Sequence, residues 1–129
     1  MLKGIRNEQL FCQKLYSGDV GRTYGGDIDN FYFGSNGDRL IIWEAKHKNA
    51  KHDYDSPQAY FLKKLVDHLK DLYVLLVWVE HESDSNIIHL KDCVPVKIYA
   101  KPTGFTRGKL IDPKFTTVQE IADWADRKI

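Results

Sequence analysis

The apolar residues of this chain fall into blocks whose spacing changes from one block to the next, and each change predicts a structural element. From Lys3 to Tyr16 the positions Ile5, Leu10, Phe11 and Leu15 recur at mostly helical intervals, and Gly18 follows where a helix would stop, which predicts a first helix. Residues 17–26 hold four glycines, and only Val20, Thr23 and Tyr24 favour extended backbone there, so a loop or short edge strand is expected. Asp27 to Phe33 then predicts a strand, Ser35-Asn36-Gly37-Asp38 a tight turn, and Leu40 to Lys46 a second strand. Asn-Gly between strand-like runs signals a two-residue type I′ hairpin turn, because that turn needs positive φ at both central positions. With Asn36 and Gly37 in the loop, Ser35 faces Asp38, and counting outward puts Asp29 opposite Glu44 and Asp27 opposite Lys46. Side chains two apart share a face of a strand, so all four point the same way.

After the polar stretch His47 to Asp55, Ser56-Pro57 supplies an N-cap with proline in the first turn, and a helix is expected to about Asp71. Its apolar stripe is Phe61, Leu62, Leu65, Val66 and Leu69. Tyr73 to Val79 is almost unbroken apolar sequence, as expected of a central strand covered on both sides. Strand, helix and strand in this order form a right-handed crossover unit. Beyond it the pattern predicts a polar turn at 82–86, short strands near Ile87 to Leu90 and Val94 to Ala100, a basic loop, and a last helix from about Thr117, where Thr117 and Glu120 have capping-box spacing.

Composition narrows the class. The 129 residues, 43% of them hydrophobic, suffice for the core of one domain spanning 1–129. Nineteen Lys and Arg against eighteen Asp and Glu leave a formal charge of +1, so any polyanion must be bound through local patches. Cys12 and Cys93 have neither metal spacing nor a secretion signal beside them, and read as two buried thiols of a cytoplasmic protein. No apolar run reaches the roughly 18 residues that cross a bilayer, so no membrane partner is expected.

The acidic cluster changes the picture most. Like charges directly opposite each other destabilise a sheet, so Asp29 facing Glu44, with Cβ atoms about 4.5–5.5 Å apart, implies a compensating cation. All-oxygen ligation by one or two carboxylates, with waters completing the shell, is the habit of Mg²⁺ bound together with a phosphate substrate and not of structural zinc. The backbone carbonyl of Ala45 could add an oxygen. Lys46 would lie beside the metal, placed to position or help deprotonate the attacking water and to offset charge on the scissile phosphate. This is an inventory for phosphodiester hydrolysis.

Asp29, a hairpin, and then Glu44-Ala45-Lys46 at the end of an apolar strand together resemble the PD-(D/E)xK nuclease superfamily, over roughly residues 5–80. The resemblance implies an α/β fold with a restriction-endonuclease-like core: helix, strand meander, crossover helix and strand, with a central mixed sheet flanked by helices. It implies that Asp29 and Glu44 bind Mg²⁺, for which Mn²⁺ substitutes, and that Lys46 assists the nucleophile. Members that resolve Holliday junctions, and the virus-type replication-repair nucleases similar to them, often carry a glutamate in the first helix and a glutamine in the helix after E-x-K; Glu8 and Gln58 stand at those positions. The proline that often precedes the family's aspartate is absent. Gly26-Asp27 and Ile28-Asp29 stand there instead, so Asp27 and Asp29 compete for the metal role, with Asp29 favoured because it faces Glu44 and Asp27 left to hold Lys46.

Other features carry less. His47 and His52, five apart in a polar loop, read as ordinary surface. Lys48, Lys51, Lys101, Arg107, Lys109 and Lys114 are candidates to touch DNA phosphates, which need basic side chains without sequence information. Tyr24 and Phe105 could stack on unpaired bases, although a partly buried aromatic is commoner. Trp43, Trp78 and Trp124 are assigned to the core. The expected protein is a Mg²⁺-dependent DNA endonuclease, working as a homodimer, with branched DNA as the substrate suggested by Glu8. The alternatives are a nuclease-fold module that binds DNA or protein without catalysis, and a nuclease directed at RNA.

Overall fold

A computed structural model describes residues 4–6, 30–84 and 87–128. The hairpin of β2 (Asn30–Phe33) and β3 (Arg39–His47) opens a five-stranded sheet that continues with β4 (Tyr73–His81), β6 (Val94–Lys101) and β7 (Lys109–Ile111), in the order β2-β3-β4-β6-β7. β3 and β4 are parallel and the other neighbours antiparallel, so the sheet is mixed. Helix α1 (Pro57–Asp67) makes the crossover between the parallel strands, and α2 (Val118–Ala125) follows β7.

The two helices cover opposite faces. Leu40, Ile42, Val74, Leu76, Trp78 and Tyr99 pack with Ala59, Leu62 and Val66 of α1. Alternate residues of the same strands, Ile41, Trp43, Leu75, Val77, Val79 and Ile98, pack with Val118, Ile121 and Ala125 of α2. A strand buried on both faces must be apolar at nearly every position, and β3 and β4 are. The second layer is therefore supplied by the C-terminal part of the chain. No helix among the described residues is long and apolar enough to cross a membrane.

The hairpin has the predicted pairing but not the predicted turn. Asn30 pairs with Trp43, Phe31 with Ile42, Tyr32 with Ile41 and Phe33 with Leu40, all in the expected count. Gly37 has φ of 75°, whereas Asn36 is not among the residues with positive φ, which rules out type I′. Instead the Gly34 N–H bonds Arg39 O and the Gly37 N–H bonds Gly34 O, giving a four-residue loop closed one pair further out. The loop grows by one residue on each side, so the register is unchanged. The last turn of α2 explains the choice: Asp126 accepts from the Ser35 N–H at 2.8 Å, and Arg127 pairs with Asp38.

The first helix is corrected where it can be seen. Residues Gly4–Arg6 form β1, antiparallel to β5 (Ile87–His89), with Ile5 opposite Ile88. Glycine disfavours a helix by about 1 kcal/mol relative to alanine, β-branched isoleucine favours a strand, and a distant strand offers the ladder that a local window cannot see. Helix α1 ends at Asp67 and not near Asp71, because the chain turns through His68 to Leu72 to bring the Tyr73 N–H onto Asp38 O. β4 runs two residues past Val79, to His81. Thr117 caps α2 with the full reciprocal capping box to Glu120.

Candidate functional site

The apolar run of β3 ends in Glu44, whose side chain points to the α1 face in step with Leu40 and Ile42 and is 7% exposed. Its ladder partner on β4 is the buried Trp78. Lys46 follows two residues later on the same face and is half-buried. No ion pair or hydrogen bond among the described residues engages its ammonium, whereas Lys48 is tied to Glu82, Lys63 to Asp55 and Lys97 to Asp112. The Ala45 side chain turns to the other face and packs on the α2-side core.

Opposite Lys46 on β4 stands Glu80, one residue beyond the apolar run that predicts the strand. Its carboxylate is bound by Nε2 of His52, so His52 is not ordinary surface. The imidazole stacks on Tyr54, which meets Trp78 edge-on at 4.9 Å. The sequence signal for Glu80 is its step of two beyond Trp78; His52 has none, because its partner is distant in sequence.

Because α1 runs back along β3, its first turn lies at the carboxyl ends of β3 and β4, the usual place for ligands in α/β sheets. Gln58, the second residue of α1, is half-buried there, and Ser56 caps the helix by accepting from the Ala59 N–H. A cavity of about 480 Å³ opens beside this turn, lined by Asp55, Pro57, Tyr60, Phe61 and Lys64. On the opposite sheet face His47 meets the buried His81 edge-on, and Nε2 of His47 lies 3.2 Å from Asp84. Burial, and secondarily the neighbouring His47, push the His81 imidazole below its usual pKa. Among the described residues no three His, Cys, Asp or Glu side chains converge to hold a metal.

Glu8, Asp27 and Asp29 lie outside the described residues, as do Cys12 and Tyr24. Lys101 is corrected as a phosphate contact: it is fully buried, its ammonium donates to Leu72 O and Pro102 O, and burial lowers its pKa. Lys51, Arg107 and Lys109 are exposed, but they do not form one patch with Lys48. Lys109 pairs with Ala100, which aligns with Leu75 and Ile41 at the far end of the strands from Lys46. Phe105 is exposed rather than partly buried. Trp43 and Trp78 are core residues as expected, and Trp124 is half-buried under the Arg39 guanidinium. Cys93 is buried, which pushes its thiol up to about 11.

Comparison with protein-family models, curated proteins and solved structures gives no match to this chain.

Proposed function

We propose that this protein is a Mg²⁺-dependent nuclease of the PD-(D/E)xK type that hydrolyses DNA phosphodiester bonds, with branched DNA as its preferred substrate. The observation that carries this reading is the pair Glu44 and Lys46 on one face at the end of β3: a buried carboxylate, then an ammonium left without an ion pair among the described residues while nearby lysines are paired. A solvated E-x-K on a strand edge has no reason to bury its acid. The parallel crossover from β3 through α1 to β4, and Gln58 at the start of α1, add support. So does the hairpin register, because one further pair in the same count would set Asp29 against Glu44.

Glu44 is the only residue of the proposed carboxylate pair among those described, so the ion depends on Asp29, with Asp27 as the competing ligand and the Ala45 carbonyl as an added oxygen. Bound there, Mg²⁺ or Mn²⁺ would supply a Lewis acid and a water of lowered pKa. Lys46 orients that water and offsets charge on the phosphate, while Gln58 and Glu8 complete the polar shell. The cavity beside α1, with the exposed Tyr60 ring on its wall, has room for an unpaired base. A homodimer would let one assembly cut both strands.

Incubation of the wild-type protein with plasmid, flap and four-way-junction DNA in Mg²⁺ or Mn²⁺ tests the proposal. Cleavage is expected, and Glu44→Ala or Lys46→Ala should lower it about 10²- to 10³-fold, the usual cost of removing one such electrostatic group. Wild-type protein that binds these substrates without cutting any of them would overturn it. Cleavage of labelled RNA in preference to DNA would reassign the substrate.

A further inference from the structure

The unneutralised state of Lys46 has a visible cause. Glu80 is its ladder partner on the neighbouring parallel strand, so the two side chains leave the same face side by side. Opposite charges in that relation attract, and both groups are only partly exposed, which strengthens the attraction over its value in water. Yet the Glu80 carboxylate is bound by His52 instead. We propose that His52 is a positioning residue: by holding Glu80 it keeps that carboxylate off Lys46 and leaves the Lys46 ammonium for the substrate. The proposal rests on the nuclease reading given above.

The geometry around His52 fits a fixed role. A carboxylate only accepts, so His52 presents its Nε2–H to Glu80, and Nδ1 is buried without a partner among the described residues. Its ring is stacked on Tyr54 with centroids 6.0 Å apart and planes 18° from parallel. Tyr54 in turn rests on the buried Trp78, the ladder partner of Glu44. The other cation on this side, Lys97, lies 5.7 Å from the Tyr54 ring centroid but is bonded to Asp112 at 2.7 Å, so it does not compete for Glu80. With His52 gone, Lys46 is the nearest cation in register with Glu80. Its side chain would be drawn toward β4 and away from Glu44.

A double-variant comparison tests this. His52→Ala is expected to lower the single-turnover rate of DNA cleavage about tenfold, a fraction of what deleting an electrostatic contributor costs. Glu80→Gln should leave the rate near that of the wild type, because a neutral amide does not capture Lys46. The decisive protein is His52→Ala with Glu80→Gln, in which the rate should recover to the Glu80→Gln level. If His52 and Glu80 merely fasten the loop before α1 to the sheet, the double variant stays as slow as His52→Ala or slower, and the proposal is overturned. A crystal structure of the His52→Ala protein reads the same point without catalysis. Lys46 Nζ within 4 Å of the Glu80 carboxylate supports the proposal, and Nζ still apart from it refutes it, even if cleavage assays have already failed the nuclease reading.

Discussion

Tyr32 donates its phenolic proton to Asp126 at 2.6 Å, joining the edge strand β2 to the end of α2 across 94 residues of sequence. The bond lowers the pKa of Asp126, which also accepts from the Ser35 N–H, and raises that of Tyr32. An acid at a helix C-terminus is disfavoured by the helix dipole, and these two donors offset that cost.

Tyr32→Phe should therefore destabilise the protein by about 1 kcal/mol at neutral pH, the low end for a bond to a charged group because the pair is only half-buried. Asp126 has a lowered folded pKa, so the stabilisation is present above its unfolded value, 3.8 in the ordinary case, and is lost as pH falls through the folded value. Urea unfolding of both proteins at pH 7 and pH 3 should show the difference shrinking in acid. A gap that is unchanged at pH 3 would refute the assignment.

Gly34 and Gly37 lie three residues apart in the same loop but should respond differently to alanine. A Cβ at Gly34 would come within 1.9 Å of the Ala125 carbonyl oxygen, so backbone would have to move, at a cost of about 3 kcal/mol. At Gly37 there is open space and only the positive φ to contend with, about 1 kcal/mol. Equilibrium unfolding should rank Gly34→Ala well below Gly37→Ala, and the reverse order would contradict the packing described.

His81 should make stability pH-dependent. Burial is the main cause of its lowered pKa and His47 the second, with Asp84 and the Ser83 backbone opposing them. Between the folded value and the ordinary 6.5, the unfolded chain takes up a proton that folded His81 refuses. Stability should thus fall as pH drops below about 6.5. In His81→Gln this part of the slope should vanish, so urea midpoints from pH 7.5 to 5.5 that run parallel for the two proteins would disprove it.

On the proposed function, the basic residues divide by position. Lys46 stands five residues along β3 from Ile41, about 16 Å at 3.3 Å per residue, and Lys109 aligns with Ile41. Lys48→Glu with Lys51→Glu should weaken DNA binding and flatten its salt dependence, by about one unit of slope for each phosphate no longer neutralised. Arg107→Glu with Lys109→Glu should leave both nearly unchanged. Fluorescence anisotropy across a salt series distinguishes the pairs, and equal effects would mean that DNA spans the whole sheet.

Local pattern is enough for what local physics decides. The apolar runs of β3 and β4, the stripe of α1 and the Thr117 capping box each depend on residues close in sequence, and each is present. The hairpin register is legible because both candidate loops share one count, while the turn itself is not, since Asp126 and Arg127 help set it from the far end of the chain. β1 is illegible for the same reason, its partner being β5. At the site, Glu44 and Lys46 can be read from the end of an apolar strand. His52 and Glu80 cannot, because their relation exists only once α1 has carried the chain back to β4.

The single parallel seam between β3 and β4 has a kinetic consequence. The β2–β3 hairpin closes over a short loop, and β4, β6 and β7 zip together from nearby segments, but the seam requires the intervening crossover to be closed first, an entropic toll that local ladders escape. Folding is therefore expected to assemble two halves quickly and dock them late. Shortening Ile42 or Leu76, which face each other across the seam, should then speed unfolding far more than it slows refolding, and stopped-flow chevrons would reveal the opposite sensitivity if docking came first.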